Sequence, residues 1–331
     1  MDSLPLPTHR RIHRDARSPH PQGSDDAWSA PTLIGVGVDG TSSGRDAVVL
    51  GSLLARLTGG ELMLIAVHRE PLAQVVLPEE MDWGTLERQA WATLAETRES
   101  LAPDARVAVQ SDVLVWRALR QVARREHRDL LVVGSAHHAH DGRVRLGKSA
   151  TRLISHLECP LAVAPSGMGS REPPRLARIG VGFDGSVESR AALALAVSIA
   201  TAADAEVEVR VPGGLASMEI ALEGNPVAAG RLVSVLEREL TSTIGARIRV
   251  DITPGSLADA LKGLREGVQL LVIGSGHRGR PGRLELGRSG HAAVRDAPCP
   301  VIVVPRPVRQ ATPPIAAASA RGESAPGQSG T

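Results

Sequence analysis

The chain of 331 residues has no tyrosine, one phenylalanine (Phe183) and four tryptophans, Trp28, Trp83, Trp91 and Trp116. Base-stacking platforms for single-stranded nucleic acid need exposed aromatic rings, so that class of binder loses its chemical basis. The tryptophans read as core or interface residues. Two cysteines, Cys159 and Cys299, are too few for a disulfide framework and form no CxxC pair, so neither an oxidising compartment nor a zinc site is indicated. Both precede proline at a strand start and read as buried packing residues. No stretch approaches the ~18 consecutive apolar residues of a membrane span. The opening segment, MDSLPLPTHRRIHRDARSPHPQ, lacks the apolar core of a secretory signal. The expected location is cytoplasmic, with no membrane contact.

Charge of one sign is also missing. Lys+Arg number 38 and Asp+Glu 36, a formal balance of +2. Residues 1–31 carry Arg10, Arg11, Arg14 and Arg17 against Asp2, Asp15, Asp25 and Asp26, so that tail is neutral. Arg306, Arg309 and Arg321 against Glu323 account for the whole excess, leaving the body neutral and without the footprint of a nucleic-acid binder. Lysine is nearly absent, Lys148 and Lys262 being the whole complement.

What the chain does have is a repeat. TLIGVGVDGTSSGRDAVVLGSLLA (32–55) returns as ARIGVGFDGSVESRAALALAVSIA (177–200), which sets Asp39 and Asp184 145 residues apart. LLVVGSAHHAHDGRVRLGKSATRLISHLECPLAVAP (130–165) returns 140 residues later as LLVIGSGHRGRPGRLELGRSGHAAVRDAPCPVIVVP (270–305). Two blocks in one order at near-equal offsets mean a duplicated domain.

Within the first copy, short apolar runs at 33–38, 62–67, 107–109, 130–133 and 161–164 have the length of buried strands. They alternate with helical periodicity near 45–58, 84–102, 115–125 and 148–156. The second copy places strands near 178–183, 206–211, 247–250, 270–273 and 301–304. Alternation of this kind implies parallel pairing with right-handed crossovers. The expected class is α/β, with two tandem Rossmann-like doubly wound domains, helices covering both faces of each sheet. Domains are expected at 32–166 and 178–306, joined by a linker at 167–177 rich in Gly, Pro and Ser. Residues 1–31 and 307–331 read as disordered tails.

Ligands of open parallel sheets bind beyond the carboxyl ends of the strands. Two segments qualify in each copy: the turn after the first strand (Asp39; Asp184) and the loop after the fourth (134–149; 274–289). That loop holds Arg143, Arg145 and Lys148 against Asp141 in the first copy. In the second it holds Arg278, Arg280, Arg283 and Arg288 against Glu285. Its glycines free backbone N–H groups to curl around an oxyanion, and it ends at a helix start. Gly142 to Ser149 also matches the phosphate-loop pattern GxxxxGK[ST]. Eight residues separate it from its strand, however, and the second copy has Arg288 at the lysine. A P-loop nucleotide hydrolase is therefore not the reading. His137, His138 and His140 read as a solvated cluster, since the second copy keeps only His277, and no metal is expected. No nucleophile–base–orienter set emerges.

The strand-ending Asp-Gly-Ser/Thr turn, the Gly-Ser-x-x…Gly loop and the following Cys-Pro-Leu/Val strand resemble the universal stress protein family, here in tandem over about 32–165 and 178–305. The resemblance implies a five-stranded parallel sheet of order 3-2-1-4-5 in each half. It also implies pairing of the final strands, Leu161–Ala164 with Val301–Val304. Nucleotide-binding members carry G-x2-G-x9-G-[S/T] on this loop and bind ATP, possibly with Mg. By position, Gly134 and Gly147, and Gly274 and Gly287, match the outer glycines. The middle glycine is replaced by His137 and His277, and the residue after the last by Lys148 and Arg288, with Ser149 and Ser289 one step later. The resemblance assigns Asp39, Val67 and Val133, and Asp184, Val211 and Ile273, to the adenine-ribose end. It implies an ATP-binding stress sensor or regulator without significant turnover, with protein partners and a homodimer among its associations. Two other functions stay open: an interaction module that binds no nucleotide, and a slow ATPase using Lys148.

Overall fold

A computed structural model describes residues 29–68, 83–172, 175–212, 247–276 and 281–307. His277, Arg278 and Arg280, and nearly all of both tails, lie outside these residues. The first half runs β1 (Leu33–Val38), α1 (Ser42–Thr58), β2 (Glu61–His68), α2 (Trp83–Leu101), β3 (Arg106–Ser111), α3 (Val115–Arg125), β4 (Leu130–Gly134), α4 (Lys148–Ile154) and β5 (Leu161–Ala164). The second runs β6 (Arg178–Gly182), α5 (Val187–Ala203), β7 (Glu206–Pro212), β8 (Ile248–Thr253), α6 (Leu257–Arg265), β9 (Leu270–Gly274), α7 (Arg288–Val294) and β10 (Val301–Val304).

Local chemistry explains the boundaries. Thr41 caps α1, its hydroxyl accepting from the Gly44 amide, and Gly59 ends the helix at φ 65°, a left-handed position suited to glycine. Ser186 caps α5 in the same way. Ser256 and Asp259 form a reciprocal capping box at α6. Helix α4 stops at Ile154, two residues short of the sequence expectation, because the amides of His156 and Leu157 both turn back to the Leu153 carbonyl.

The ten strands form one sheet of order β3-β2-β1-β4-β5-β10-β9-β6-β7-β8. Each half has the expected 3-2-1-4-5 order. Every neighbouring pair is parallel except the junction, where β10 runs antiparallel to β5 with Ile302 opposite Ala162. All four residues of β5 and of β10 are buried, so the strands that would be open edges in separate halves become the centre of one sheet.

Each sheet face carries its own core. Leu50, Leu54, Ile199 and Ala196 of α1 and α5 pack on one face, and Leu153, Val294, Leu119 and Leu264 of α4, α7, α3 and α6 on the other. Phe183 packs partly buried on the first of these. Of the two places expected for the tryptophans, core or interface, Trp91 does not take the core, because it stands exposed on α2. Trp116 is partly buried, its ring 4.5 Å from that of His156 at a 37° tilt. The side chains of Trp28 and Trp83 lie outside the described residues.

The segment between the halves is held in place. Asp46, buried in α1, accepts from the amides of Gly169 (2.6 Å) and Gly167 (3.0 Å), and residues 168–170 form a 3₁₀ turn. Arg171 pairs with Asp141 across the same segment. At the other end, the Ala30 amide reaches Ser198 on α5 at 2.6 Å, so the chain is anchored just before β1.

Candidate functional site

The registers bring the carboxyl ends of three strands side by side. Val38 lies opposite Ala66, and Val36 opposite Val132. Asp39 follows directly, and its Oδ1 accepts from the Thr41 hydroxyl at 2.6 Å and the Thr41 amide at 3.1 Å. Asp184 accepts from the Ser186 amide at 3.1 Å. Gly40 and Gly185 carry the turn at φ 73° and 76°. Both aspartates therefore shape the turn that starts the next helix, and Asp39 remains exposed at the strand-end edge.

Val133 and Ile273 are buried in the core beneath α3, α4, α6 and α7, and Val67 packs partly buried against it. Val211 does not share that position. It belongs to the opposite core, beneath α1, α2 and α5. The two halves share one register, and Val211 is one residue out of step with Val67 in the repeat. Leu33 pairs with Glu61 and Arg178 with Glu206, so the repeat equivalent of Val67 is Pro212, and a shift of one residue reverses the face of a strand.

Gly134 and Gly274 are required by packing. A Cβ on Gly134 would come within 2.0 Å of the Ser43 carbonyl oxygen on α1, and one on Gly274 within 2.5 Å of Glu188 on α5. The Ser43 hydroxyl also donates to the Ser135 carbonyl at 2.6 Å. These glycines let the strand ends lie against the first turn of the neighbouring helix.

Beyond them the loop closes on itself. The Ala136 amide donates to the Arg145 carbonyl at 2.8 Å, and the Gly276 amide to the Glu285 carbonyl at 2.7 Å. Ser135 and Ser275, both buried, clamp this neck. Each donates to the end of the last strand (Ala164 at 2.7 Å, Val304 at 2.9 Å) and accepts from the returning strand of the loop (Arg145 and Glu285 amides). The repeated serine after Gly134 and Gly274 was the sequence signal for this clamp.

The middle of each loop crosses to the other half. The Val144 amide donates to the Ala297 carbonyl at 2.8 Å, and the Leu284 amide to the Leu157 carbonyl at 3.0 Å. Both side chains are fully buried. The loop is therefore a bracket between halves as well as a rim to the cleft. Its apolar residues at matching positions were the available clue.

What remains open to a ligand is the return to the helix. Gly147 and Gly287 stand at the helix starts with no side chain capping the first amides. Lys148 and Arg288 follow, both exposed, with Ser149 and Ser289 half-buried behind them. His137 is exposed, so its ring does not fill the neck of the loop. A Cβ on Gly147 would meet Ala136 only at 3.7 Å, an ordinary contact. The residues of the first half thus fit an oxyanion group: uncapped amides, a lysine and room beside the backbone. His277 lies outside the described residues. His138 and His140 are exposed with His137, and among the described residues no group of three His, Cys, Asp or Glu is placed to hold a metal ion.

The sequence model of the universal stress protein family matches residues 32–165 and again 176–305. The chain belongs to the universal stress protein family. A universal stress protein from Archaeoglobus fulgidus, 14% identical, superimposes with a TM-score of 0.64 over 82% of this chain and 98% of its own. A protein from Pseudomonas aeruginosa described as a universal stress protein, 18% identical, does so with a TM-score of 0.56 over 83% of this chain and 94% of its own. At these identities the likeness is one of fold.

Other groups of this universal stress protein serve structure. Cys299 is buried as expected, whereas Cys159 is only half-buried; desolvation pushes both thiols up to about 12, far from a reactive thiolate. Burial also raises the Asp46 carboxyl, an effect that the two glycine amides only partly offset. In the second half, buried Glu188 pairs with Arg306 at 3.3 Å, next to Gly274. Among the described residues, no helix is long and apolar enough to cross a membrane.

Proposed function

We propose that the chain binds ATP at the strand-end cleft of each half and acts as a stress-response sensor or regulator without significant turnover. The observation that carries this is the pair of uncapped helix starts at Gly147 and Gly287, each followed by an exposed cation, Lys148 or Arg288. Backbone amides and a cation at the end of a glycine-bounded loop suit a phosphate chain. In this reading Gly147, Lys148 and Ser149 hold phosphates in the first half, and Gly287, Arg288 and Ser289 in the second. Asp39 with Val67 and Val133 borders the adenosine, as do Asp184 and Ile273. His137 flanks the phosphates from the solvent side. Mg, where present, neutralises phosphate charge.

The test is a series of adenosine, AMP and ATP titrated into nucleotide-stripped protein. Affinity rising with phosphate number supports phosphate recognition by these loops, whereas equal affinity across the series contradicts it. The crossing of the loops between the halves at Val144 and Leu284 favours a second reading, an interaction module whose loops are structural. A complete absence of nucleotide binding, with thermal stability unmoved, selects that reading. The same cytoplasmic regulator is proposed to span domains at 32–166 and 178–306.

A further inference from the structure

The two inter-half brackets are copies of one segment, yet they close differently. In the first, Val144 makes two backbone bonds to the second half: its amide to Ala297 (2.8 Å) and its carbonyl from Asp296 (2.9 Å). Asp296 sits at φ 56°, which turns its amide outward. Arg143 completes that closure, donating to the Asp296 carbonyl at 3.2 Å and lying 3.9 Å from Glu266.

Among the described residues, the second bracket keeps only the Leu284–Leu157 bond. His156 stands where Asp296 stands in the repeat, and its amide turns inward to Leu153. Arg283 stands where Arg143 stands, but the repeat equivalent of Glu266 is Glu126, which pairs with Arg106 (3.8 Å) and Arg125 (3.2 Å). Among the described residues Arg283 is half-buried and has no hydrogen-bond acceptor or ion-pair partner. An open cavity of about 490 Å³ lies there, between α4 and the bracket of the second half. That is within the roughly 300–1,000 Å³ of small-molecule sites.

Its floor is apolar, built from Ile154, Leu284 and Leu286, all buried. Its polar wall is Arg283 with the hydroxyls of Thr151 and Ser155 and the rings of His156 and His291. The His156 ring is held in place, its Nδ1 2.8 Å from the Arg152 carbonyl and its face against Trp116. A carbonyl only accepts, so Nδ1 carries the proton. Glu285 stands exposed on the rim, and its charge opposes a second negative charge on a ligand.

We propose that this cavity binds a small organic monoanion, a carboxylic acid whose apolar body lies on the Ile154–Leu284–Leu286 floor and whose carboxylate pairs with Arg283. A guanidinium takes a carboxylate with two parallel hydrogen bonds, and a partly desolvated guanidinium gains more from such a pair than an exposed one does. The site is separate from the strand-end clefts and does not depend on nucleotide binding there.

Titration of the full chain with hexanoate, hexyl phosphate and hexanol tests this, read from the four tryptophan indole resonances, with Trp116 identified by the Trp116→Phe variant. Hexanoate is expected to shift the Trp116 resonance saturably. Hexanol should bind about tenfold more weakly or not at all, as should hexanoate with Arg283→Ala. Arg283→Lys should recover part of the loss, and Arg143→Ala should change nothing at this resonance. Equal binding of hexanol and hexanoate would overturn the proposal, as would unchanged hexanoate binding in Arg283→Ala. Tighter binding of hexyl phosphate than of hexanoate would overturn the assignment of a monoanion.

Discussion

The Val144 amide of the first half donates to the Ala297 carbonyl of the second at 2.8 Å, and the Val144 side chain is fully buried there. Leu284 repeats the relationship in reverse against Leu157. The loop that borders each candidate nucleotide site is thus part of the packing of the other half, and the stability of the two halves is coupled through it.

This coupling predicts that Leu284→Ala destabilises the whole chain by about 2–5 kcal/mol, with Val144→Ala somewhat less costly. Chemical denaturation followed by circular dichroism measures it. A change within about 0.5 kcal/mol, the usual range of surface substitutions, would mean the brackets are not packed in solution.

The two loop glycines of the first half separate folding from binding. Gly134→Ala places a Cβ within 2.0 Å of a backbone oxygen and is expected to lower the melting temperature, at a cost of about 1–3 kcal/mol or more. Gly147→Ala meets its nearest neighbour at 3.7 Å and should leave the melting temperature nearly unchanged while weakening nucleotide binding. Thermal melts of both variants, with and without ATP, check the contrast. An equal loss of stability in the two would refute it.

Asp46 gives a pH dependence with a definite sign. Burial raises its carboxyl above the ordinary value, so the folded chain holds the proton more tightly than the unfolded chain. The resulting stability is fully present below the usual carboxylate pKa of about 3.9 and is lost as pH rises through the higher folded value. Relative to Asp46→Asn, the parent should therefore lose stability as pH rises through that window. Scanning calorimetry of both proteins between about pH 4 and 7 reads the difference. A parent that gains stability relative to Asp46→Asn as pH rises contradicts the assignment.

The two thiols should be silent in the native protein. With both pushed up to about 12 by burial, iodoacetamide should label neither Cys159 nor Cys299 until denaturant is added, when both react. Rapid labelling of the native chain at Cys299, read by mass spectrometry, would contradict its burial, and rapid labelling at the half-buried Cys159 would contradict its raised thiol.

The duplicated half and the strand positions were legible because apolar runs of strand length recur in the same sequence order, whereas the strand order and the pairing of Leu161–Ala164 with Val301–Val304 came from the family resemblance alone. The mismatch of Val67 and Val211 was also legible, since the 145-residue offset between Asp39 and Asp184 puts Pro212 at the place of Val67, and the two valines face opposite cores. Asp46 had no repeated signal, because Ala191 stands at the same place in the second half. Gly134 and Gly274 stood out in sequence as the glycines that open each loop, and what the sequence could not show was the helix backbone lying against them.

The most direct measurement is calorimetric titration of nucleotide-stripped protein with ATP and Mg²⁺, alongside Lys148→Ala, Arg288→Ala and the double variant. Saturable binding, weakened about tenfold or more in the double variant with its melting temperature unchanged, is the predicted result. Absence of heat up to millimolar ATP, or binding that the double variant leaves intact, would contradict nucleotide recognition at these loops.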